Sequence, residues 1–466
     1  MPQNYKFAKV LRRLKCVFRQ VPNSLPYTLG SMHYSLQPKS YKTKPNELPT
    51  MKYHPFSLRS ITCAMLYALC VFTPLARGSV HGWAVTTIHM ITLVALTAFL
   101  LQKSWNRDWK WIRTPLEKPI LALLILCLIS FSFSVHHRTS LWAMVLLINY
   151  IIIFYLTIHT ISTRTHLRRL IYLIIGVALF LSLFGFFKRF GVNPFPWWQY
   201  SELTYPLSFL SATYGNHNHL AGYMEMAIPL ALGLFLTGYR GGKLFLLTVL
   251  TFIMMVAMIL SLSRGGWISA FISLIFMSIC LFTNRYFYRK GFLIAIVGVC
   301  LAVVFIVLAS TSVVERVRTV MEKRQEPNLN ARIVVWGGAI KVIEDYPLRG
   351  TGPGTFSTVF TQYQPPGLTS RYFMAHNDYL HFTSELGIFL IPIIIWMIIA
   401  LYRKGFQKLK NPSRLVRATT LGAMSGITAI LIHSIGDFNL HIPANALLFT
   451  VLTAIVVGPS PQETNK

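Results

Sequence analysis

The chain has 466 residues, of which 54% are hydrophobic and only 12% charged, and its mean hydropathy is +0.51. A water-soluble protein of this length carries far more charge, so the composition excludes an ordinary soluble enzyme and points to the membrane. The formal charge of +30 would suggest nucleic acid in a soluble protein. Here, however, Lys and Arg are scattered through a tail and short loops, and no nucleic-acid footprint is expected from them.

Residues 1–59 are basic, rich in Pro, Ser, Tyr and Lys, and lack helical periodicity. No short basic segment leads directly into a cleavable apolar stretch, so they read as a flexible cytoplasmic tail touching anionic lipid, not a signal peptide. From Ile61 onward, apolar runs recur at the length of about 20 residues that a membrane-crossing helix requires. Spans are expected near 60–76, 83–101, 119–135, 141–161, 170–187, 220–238, 244–262, 267–282, 292–310, 385–402, 419–436 and 443–458. The expected fold is therefore all-α: a polytopic transmembrane bundle of about 12 spans with a long outer loop carrying amphipathic helices. It divides into the tail 1–59, N-terminal membrane helices over 60–187, a second membrane region over 188–458 that includes the loop 311–380, and a C-terminal tail, 459–466.

Of the six cysteines, Cys16 is in the tail and the other five fall inside apolar runs, so neither a disulfide framework nor a zinc site is implied. With the N-terminus inside, the inner segments hold about 31 of the 44 Lys and Arg residues. That asymmetry places both termini in the cytoplasm. Acidic residues show the opposite bias, with Glu202, Glu344, Asp345, Asp378 and Asp437 all outside.

Two outer loops are long. The first, 188–219, carries Pro194-Phe195-Pro196-Trp197-Trp198, either an interfacial aromatic belt or a contact for a lipid substrate. In the second, 311–380, Ile333, Trp336, Ile340 and Ile343 recur at helical spacing. Asp345-Tyr346-Pro347 should end that helix, and Gly350-Thr351-Gly352-Pro353-Gly354 forms a turn-rich link. Helices lying on the outer surface of the bundle are expected, not an independent domain.

Four outer motifs offer chemistry. Ser261-Leu262-Ser263-Arg264-Gly265-Gly266 separates two spans with almost no loop, so Arg264 lies at the outer interface. It either snorkels to headgroups or grips a phosphate with its fork of donors. Arg332, one turn before Trp336, is a second phosphate ligand or a solvated helix residue. In Ala375-His376-Asn377-Asp378-Tyr379-Leu380, Asn377 or Asp378 can cap the incoming helix. His376 is then held at the membrane face, where an imidazole serves as a general base or as a satisfied interfacial residue. Gly215-Asn216-His217-Asn218-His219 opens a span; with no further ligand at suitable spacing, donor contacts to a polar ligand are favoured over a metal. Glu225, two turns in, is an intramembrane acid expected to pair with an arginine or to serve a site. The turn His433…Asp437…Asn439…His441-Ile442-Pro443 is polar beyond what a plain turn needs.

The order of these motifs carries a resemblance. Ser263-Arg264-Gly265, then Arg332 with Trp336 and Asp345-Tyr346-Pro347-Leu348-Arg349-Gly350, then His376-Asn377-Asp378-Tyr379-Leu380, resembles the O-antigen ligase and polymerase superfamily. Gly215-Asn216 and the His433…Asp437 turn look like further features of it. The resemblance covers most of residues 210–450; the basic extension 1–59 is not a feature it would supply.

The resemblance implies a multi-pass glycosyltransferase of the bacterial inner membrane with its active site on the periplasmic face. Its donor would be a glycan on undecaprenyl diphosphate, and its acceptor lipid A–core or, in polymerases, another glycan. Membrane lipids would be its remaining partners, and inverting transfer would need no metal or other cofactor. By resemblance, Arg264 and Arg332 stabilise the leaving diphosphate and His376 activates the acceptor, with Asp378 as the second candidate base. Asn216, His217, Asn377 and Trp336 would complete the substrate-binding set. Polymerization and protein glycosylation are the alternatives within the superfamily, and transport of lipid-linked sugar the alternative outside it.

Overall fold

The structure is a computed structural model that describes residues 57–192, 209–284, 286–287, 327–364 and 371–462, with single positions at 291 and 298. The tail through residue 56, the Pro194–Trp198 cluster and nearly all of the span expected at 292–310 lie outside the described residues. The described residues belong to one compact unit.

They form helices. In chain order these are α1 (Leu58–Leu75), α2 (Gly82–Trp105), α3 (Glu117–Ser132), α4 (His137–Thr160), α5 (Arg164–Arg189), α6 (His217–Leu234), α7 (Gly242–Leu260) and α8 (Arg264–Thr283). Then follow α9 (Pro327–Asp345), α10 (Phe356–Tyr363), α11 (Asp378–Leu386), α12 (Leu390–Lys408), α13 (Arg414–His433) and α14 (Pro443–Val457). Among the described residues there is no strand, only an isolated bridge between Thr163 and Gln462. Among the described residues nine helices are long and apolar enough to cross a membrane, and α14 is a shorter apolar one.

The starts follow local chemistry. Ser57, Thr163, Asn216, Ser263 and Asn377 each cap a helix by accepting a backbone N–H from its first turn. Most expected boundaries shift by a few residues, and one expected span is broken. The run read as a span from 385 is interrupted: α11 ends at Leu386, Gly387 turns the chain at φ 82°, and the membrane helix begins only at Leu390. With ψ at 175° this is extended backbone of positive φ, a region that glycine takes without strain.

Burial separates inner from outer helices. The apolar stretch of α6 is 94% buried and that of α13 78%, against 17% for α12 and 28% for α2. The inner pair approaches closely because α13 offers Gly422 and Gly426, where a Cβ would stand 2.6 Å from the Pro229 carbonyl oxygen and 2.7 Å from that of Met226. Between membrane helices, small residues permit the backbone contact that drives association. The outer helices α2 and α12 instead expose Met90, Leu93, Leu101, Ile395, Trp396 and Ile399, as lipid-facing surfaces do.

The two ends of the bundle differ in character. At one end Lys408 Nζ donates to the carbonyls of Ile455 at 2.6 Å and Gly458 at 3.0 Å, closing the C-terminus of α14. That end also carries Arg164, Arg168, Arg403, Lys404, Lys410 and Arg414. At the other end the starts of α6, α8 and α14 meet the end of α13 and the helices α9–α11.

In α9 the buried face is Val335, Ala339 and Val342, while Ile333 and Ile340 of the expected apolar stripe are exposed. Gly338 explains the change of face: a Cβ there would stand 2.7 Å from the Phe360 ring, so α10 packs against this smaller stripe.

Candidate functional site

The site is built round two backbone features, the start of α11 and the turn between α13 and α14. Asn377 caps α11, its Oδ1 accepting the Leu380 N–H at 3.0 Å. On one side of the cap Ala375 N–H donates to His381 Nδ1 at 3.4 Å; on the other Asp378 N–H donates to the Ser434 carbonyl at 2.9 Å. His376, held between them, adopts a left-handed backbone at φ 50°. A residue with a Cβ in that region stores about 1–3 kcal/mol of strain, and such positions concentrate at functional sites.

His376 Nδ1 lies 3.4 Å from Asp437 Oδ1, with side-chain exposures of 25% and 2% respectively. The His433–Phe438 turn holds the carboxylate: Asp437 N–H donates to the His433 carbonyl at 3.1 Å, and Phe438 N–H donates to Asp437 Oδ1 at 2.9 Å. Burial by itself would raise the Asp437 carboxyl, but the His376 imidazole, His219 and the Arg332 guanidinium hold it well below the usual carboxylate range. The Phe438 ring stands edge-on to both His376 and His219, each at 4.8 Å. Asp437 Oδ2, His219 Nε2 and His376 Nδ1 itself are buried without a hydrogen-bond partner among the described residues, the 3.4 Å contact being too loose to count as one, leaving polar capacity at this point unused.

Arg332 reaches the same turn from α9, its guanidinium donating to the Gly436 carbonyl at 2.7 Å. Trp336, one turn further, is half-buried. Arg264 is the first residue of α8, next to the cap Ser263, whose Oγ accepts the Gly266 N–H at 3.2 Å. The following Gly265 lies against the ring of His433, so both arginine-bearing segments meet the end of α13.

Asp378 is placed differently. Its Oδ2 accepts the Leu440 N–H at 2.9 Å and its Oδ1 meets His441 Nδ1 at 2.6 Å. His441 in turn stacks on Phe382 at 4.3 Å and lies 4.0 Å from the His381 ring. His381 Nε2 pairs with Glu385 Oε1 at 3.2 Å, and Glu385 also accepts the N–H groups of Gly354 at 2.8 Å and Phe356 at 3.0 Å. Burial, with His441 adding to it, pushes the His381 imidazole down despite Glu385. Burial would push the Glu385 carboxyl up, but His381, His441 and the Phe356 N–H together bring it below its ordinary value.

The structure thus brings His376, Asn377, Asp378 and Arg332 round one turn, with the start of α8 packed on its base. Asn216 caps α6 and His217 stacks on Phe209 at 4.5 Å; of that motif it is His219 that reaches Phe438. Glu225 pairs with His433, not with an arginine. Asp437 is the residue the sequence reading named only as part of a polar turn, without a role of its own. Its signal was the density of polar groups from His433 to His441 in a turn that does not need them. Among the described residues no group of three or more His, Cys, Asp or Glu side chains is arranged to hold a metal ion.

Fold and site together define a polytopic helical membrane protein with a cluster of histidine–carboxylate pairs at one end of its bundle. Residues 249–395 match the family model described as O-antigen ligase, and the resemblance to that superfamily carried by the motifs is borne out. The match contains Arg264, Arg332, Trp336, His376, Asn377 and Asp378, whereas Asn216, His217 and Asp437 lie outside it. No curated protein matches the chain.

Proposed function

We propose that this protein transfers a glycan from undecaprenyl diphosphate to an acceptor hydroxyl, of lipid A–core in the first instance, on the periplasmic face of the bacterial inner membrane. The basic end of the bundle, with both chain termini, then faces the cytoplasm. The observation that carries the reading is the convergence on one turn of His376, a buried Asp437 and Arg332.

In this reading Asp437 fixes the His376 ring with Nδ1 towards the carboxylate, leaving Nε2 for the acceptor. Nε2 takes the proton of the acceptor hydroxyl as its oxygen forms a bond to the anomeric carbon. The bond from that carbon to the diphosphate breaks on the opposite face, its electron pair leaving on the diphosphate, so the configuration inverts. Arg264 and Arg332 face the charge that develops there and stabilise it more in the transition state than in the ground state. Asn216, His217, Asn377 and Trp336 complete the binding surface, and Asp378 serves by holding the 437–441 turn. The protein's own side chains supply both the base and the compensating charge, so the proposed transfer is metal-independent.

The test is transfer by the full-length protein purified in detergent, given an undecaprenyl-diphosphate glycan and lipid A–core. Product should form, and Arg332→Ala or Arg264→Ala should lower the rate about two to three decades with the protein still folded. Lysine should rescue poorly, because a point charge does not reproduce paired guanidinium contacts. Full activity in both alanine variants would remove the arginines from the mechanism. In a deletion strain, bare core with accumulated lipid-linked polymer supports ligation, whereas core capped by one repeat unit supports polymerization.

A further inference from the structure

Beneath this turn lies a histidine–carboxylate pair that the proposed mechanism does not use. Glu225 on α6 and His433 at the end of α13 have side-chain exposures of 0% and 2%, with His433 Nδ1 at 3.2 and 3.1 Å from the two carboxylate oxygens. Ser269 of α8 donates to Glu225 Oε2 at 2.5 Å. Three membrane helices are therefore joined at one carboxylate.

A buried pair of this kind is a poor source of stability. Desolvating both groups costs about what their attraction returns, and apolar residues of the same volume commonly serve as well or better. Ionisable residues inside a membrane bundle are rare and expensive, which makes a functional role the first hypothesis.

The surroundings say what that role is. The His433 ring presses on the residue after Arg264: a Cβ on Gly265 would stand 2.8 Å from both Cδ2 and Nε2 of that ring. On the next residue, Gly266, a Cβ would stand 2.7 Å from the Ala221 side chain, one turn before Glu225 on α6. The His433 carbonyl also accepts the N–H of Gly436 at 3.0 Å, and the Gly436 carbonyl is the one that holds Arg332. The pair thus touches the backbone that carries one guanidinium and the backbone that anchors the other.

We infer that Glu225 and His433 are positioning residues that fix the Arg264 turn relative to Arg332, setting the spacing of two guanidiniums for a diphosphate. The inference rests on the reading of those arginines given above. A hydrophobic pair would fill the same space, but it would let α8 slide on α13; a carboxylate bonded to both helices permits only one register.

The probe is inorganic pyrophosphate, titrated against the purified full-length protein in detergent. Wild type should bind it, Arg264→Ala should bind it poorly, and Glu225→Gln should weaken binding about tenfold with the elution profile of the folded protein retained. Glu225→Gln should add nothing in the Arg264→Ala background, because its effect passes through that guanidinium. Gly265→Ala, which keeps every polar group and only displaces the His433 ring, should weaken binding as Glu225→Gln does. Wild-type pyrophosphate affinity in folded Glu225→Gln or in Gly265→Ala overturns the inference, as does a Glu225→Gln effect that simply multiplies that of Arg264→Ala. Wild-type affinity in Arg264→Ala itself overturns the diphosphate reading beneath it, so the two failures are distinct.

Discussion

His376–Asp437 and His441–Asp378 are the same chemical pair in two neighbouring places, and they differ in everything except composition. In His441–Asp378 the contact is 2.6 Å, the second carboxylate oxygen accepts a backbone N–H, and the imidazole is packed between Phe382 and His381. In His376–Asp437 the contact is 3.4 Å, Oδ2 of the carboxylate has no partner among the described residues, and the imidazole is a quarter exposed on a left-handed backbone. One pair is saturated and closes a turn. The other retains unused capacity and an open ring edge, as the base proposed above would need. A histidine beside a carboxylate is therefore not itself a catalytic signature; the degree of satisfaction distinguishes the roles.

The largest effect that would sharpen this contrast is on chemistry. His376→Ala should lower the transfer rate about two to four decades, with pyrophosphate binding close to wild type and a modest loss of stability, because the buried Asp437 loses the imidazole that lowers its carboxyl. Asp437→Asn keeps the volume but removes a charged partner, a loss of about 1.5–3 kcal/mol, or about one to two decades in rate. If His376→Ala turned over at the wild-type rate, the contrast would collapse and the base would have to be sought elsewhere.

The saturated pair should respond in stability instead. Asp378→Asn weakens the contact to His441 while an amide oxygen can still accept the Leu440 N–H. The expected cost is about 1.5–3 kcal/mol, seen as a lower unfolding midpoint in detergent, with activity falling mainly as folded protein is lost. A fully folded but inactive Asp378→Asn enzyme, beside an active His376→Ala enzyme, would reverse the two assignments.

The membrane helices were legible because a run of about 20 apolar residues has few other uses, and the start of α11 because Asn377 sits where a cap belongs. Which helices are central was not legible: α6 and α12 qualify alike as membrane spans, yet one is almost wholly buried and the other mostly exposed. The deciding features are small residues such as Gly422 and Gly426, whose value depends on a partner helix far away in sequence. The break at Gly387 was hidden because apolar residues flank it on both sides. In the site, Arg264 and His376 were visible as polar residues at a membrane interface, and Arg332 by its place in the order of motifs. Asp437 was not, because a carboxylate four residues after His433 in a turn reads first as a cap, and its imidazole partner lies 61 positions away.

The smallest expected effect is on pH dependence, and it separates the packed network from the open pair. Asp437, Glu385 and His381 all hold protons less readily in the folded protein than their ordinary values imply. The unfolded chain therefore binds more protons than the folded one on acidification, and stability rises with pH. The contribution of His381 is complete above the ordinary histidine value of about 6.5 and is lost as pH falls below it. The two carboxylates lose theirs only below about pH 4. Unfolding midpoints in detergent should accordingly decline gently from pH 7 to pH 5 and more steeply below pH 4. His381→Gln should flatten the first decline and leave the second. Asp437→Asn should do the reverse, keeping the decline between pH 7 and pH 5 and reducing the steeper one. A midpoint that rose on acidification from pH 7 to pH 5 in the wild type but not in His381→Gln would mean that His381 is charged when folded. The Asp378–His441–His381–Glu385 cluster would then be the open, proton-binding region and the contrast would be drawn the wrong way round.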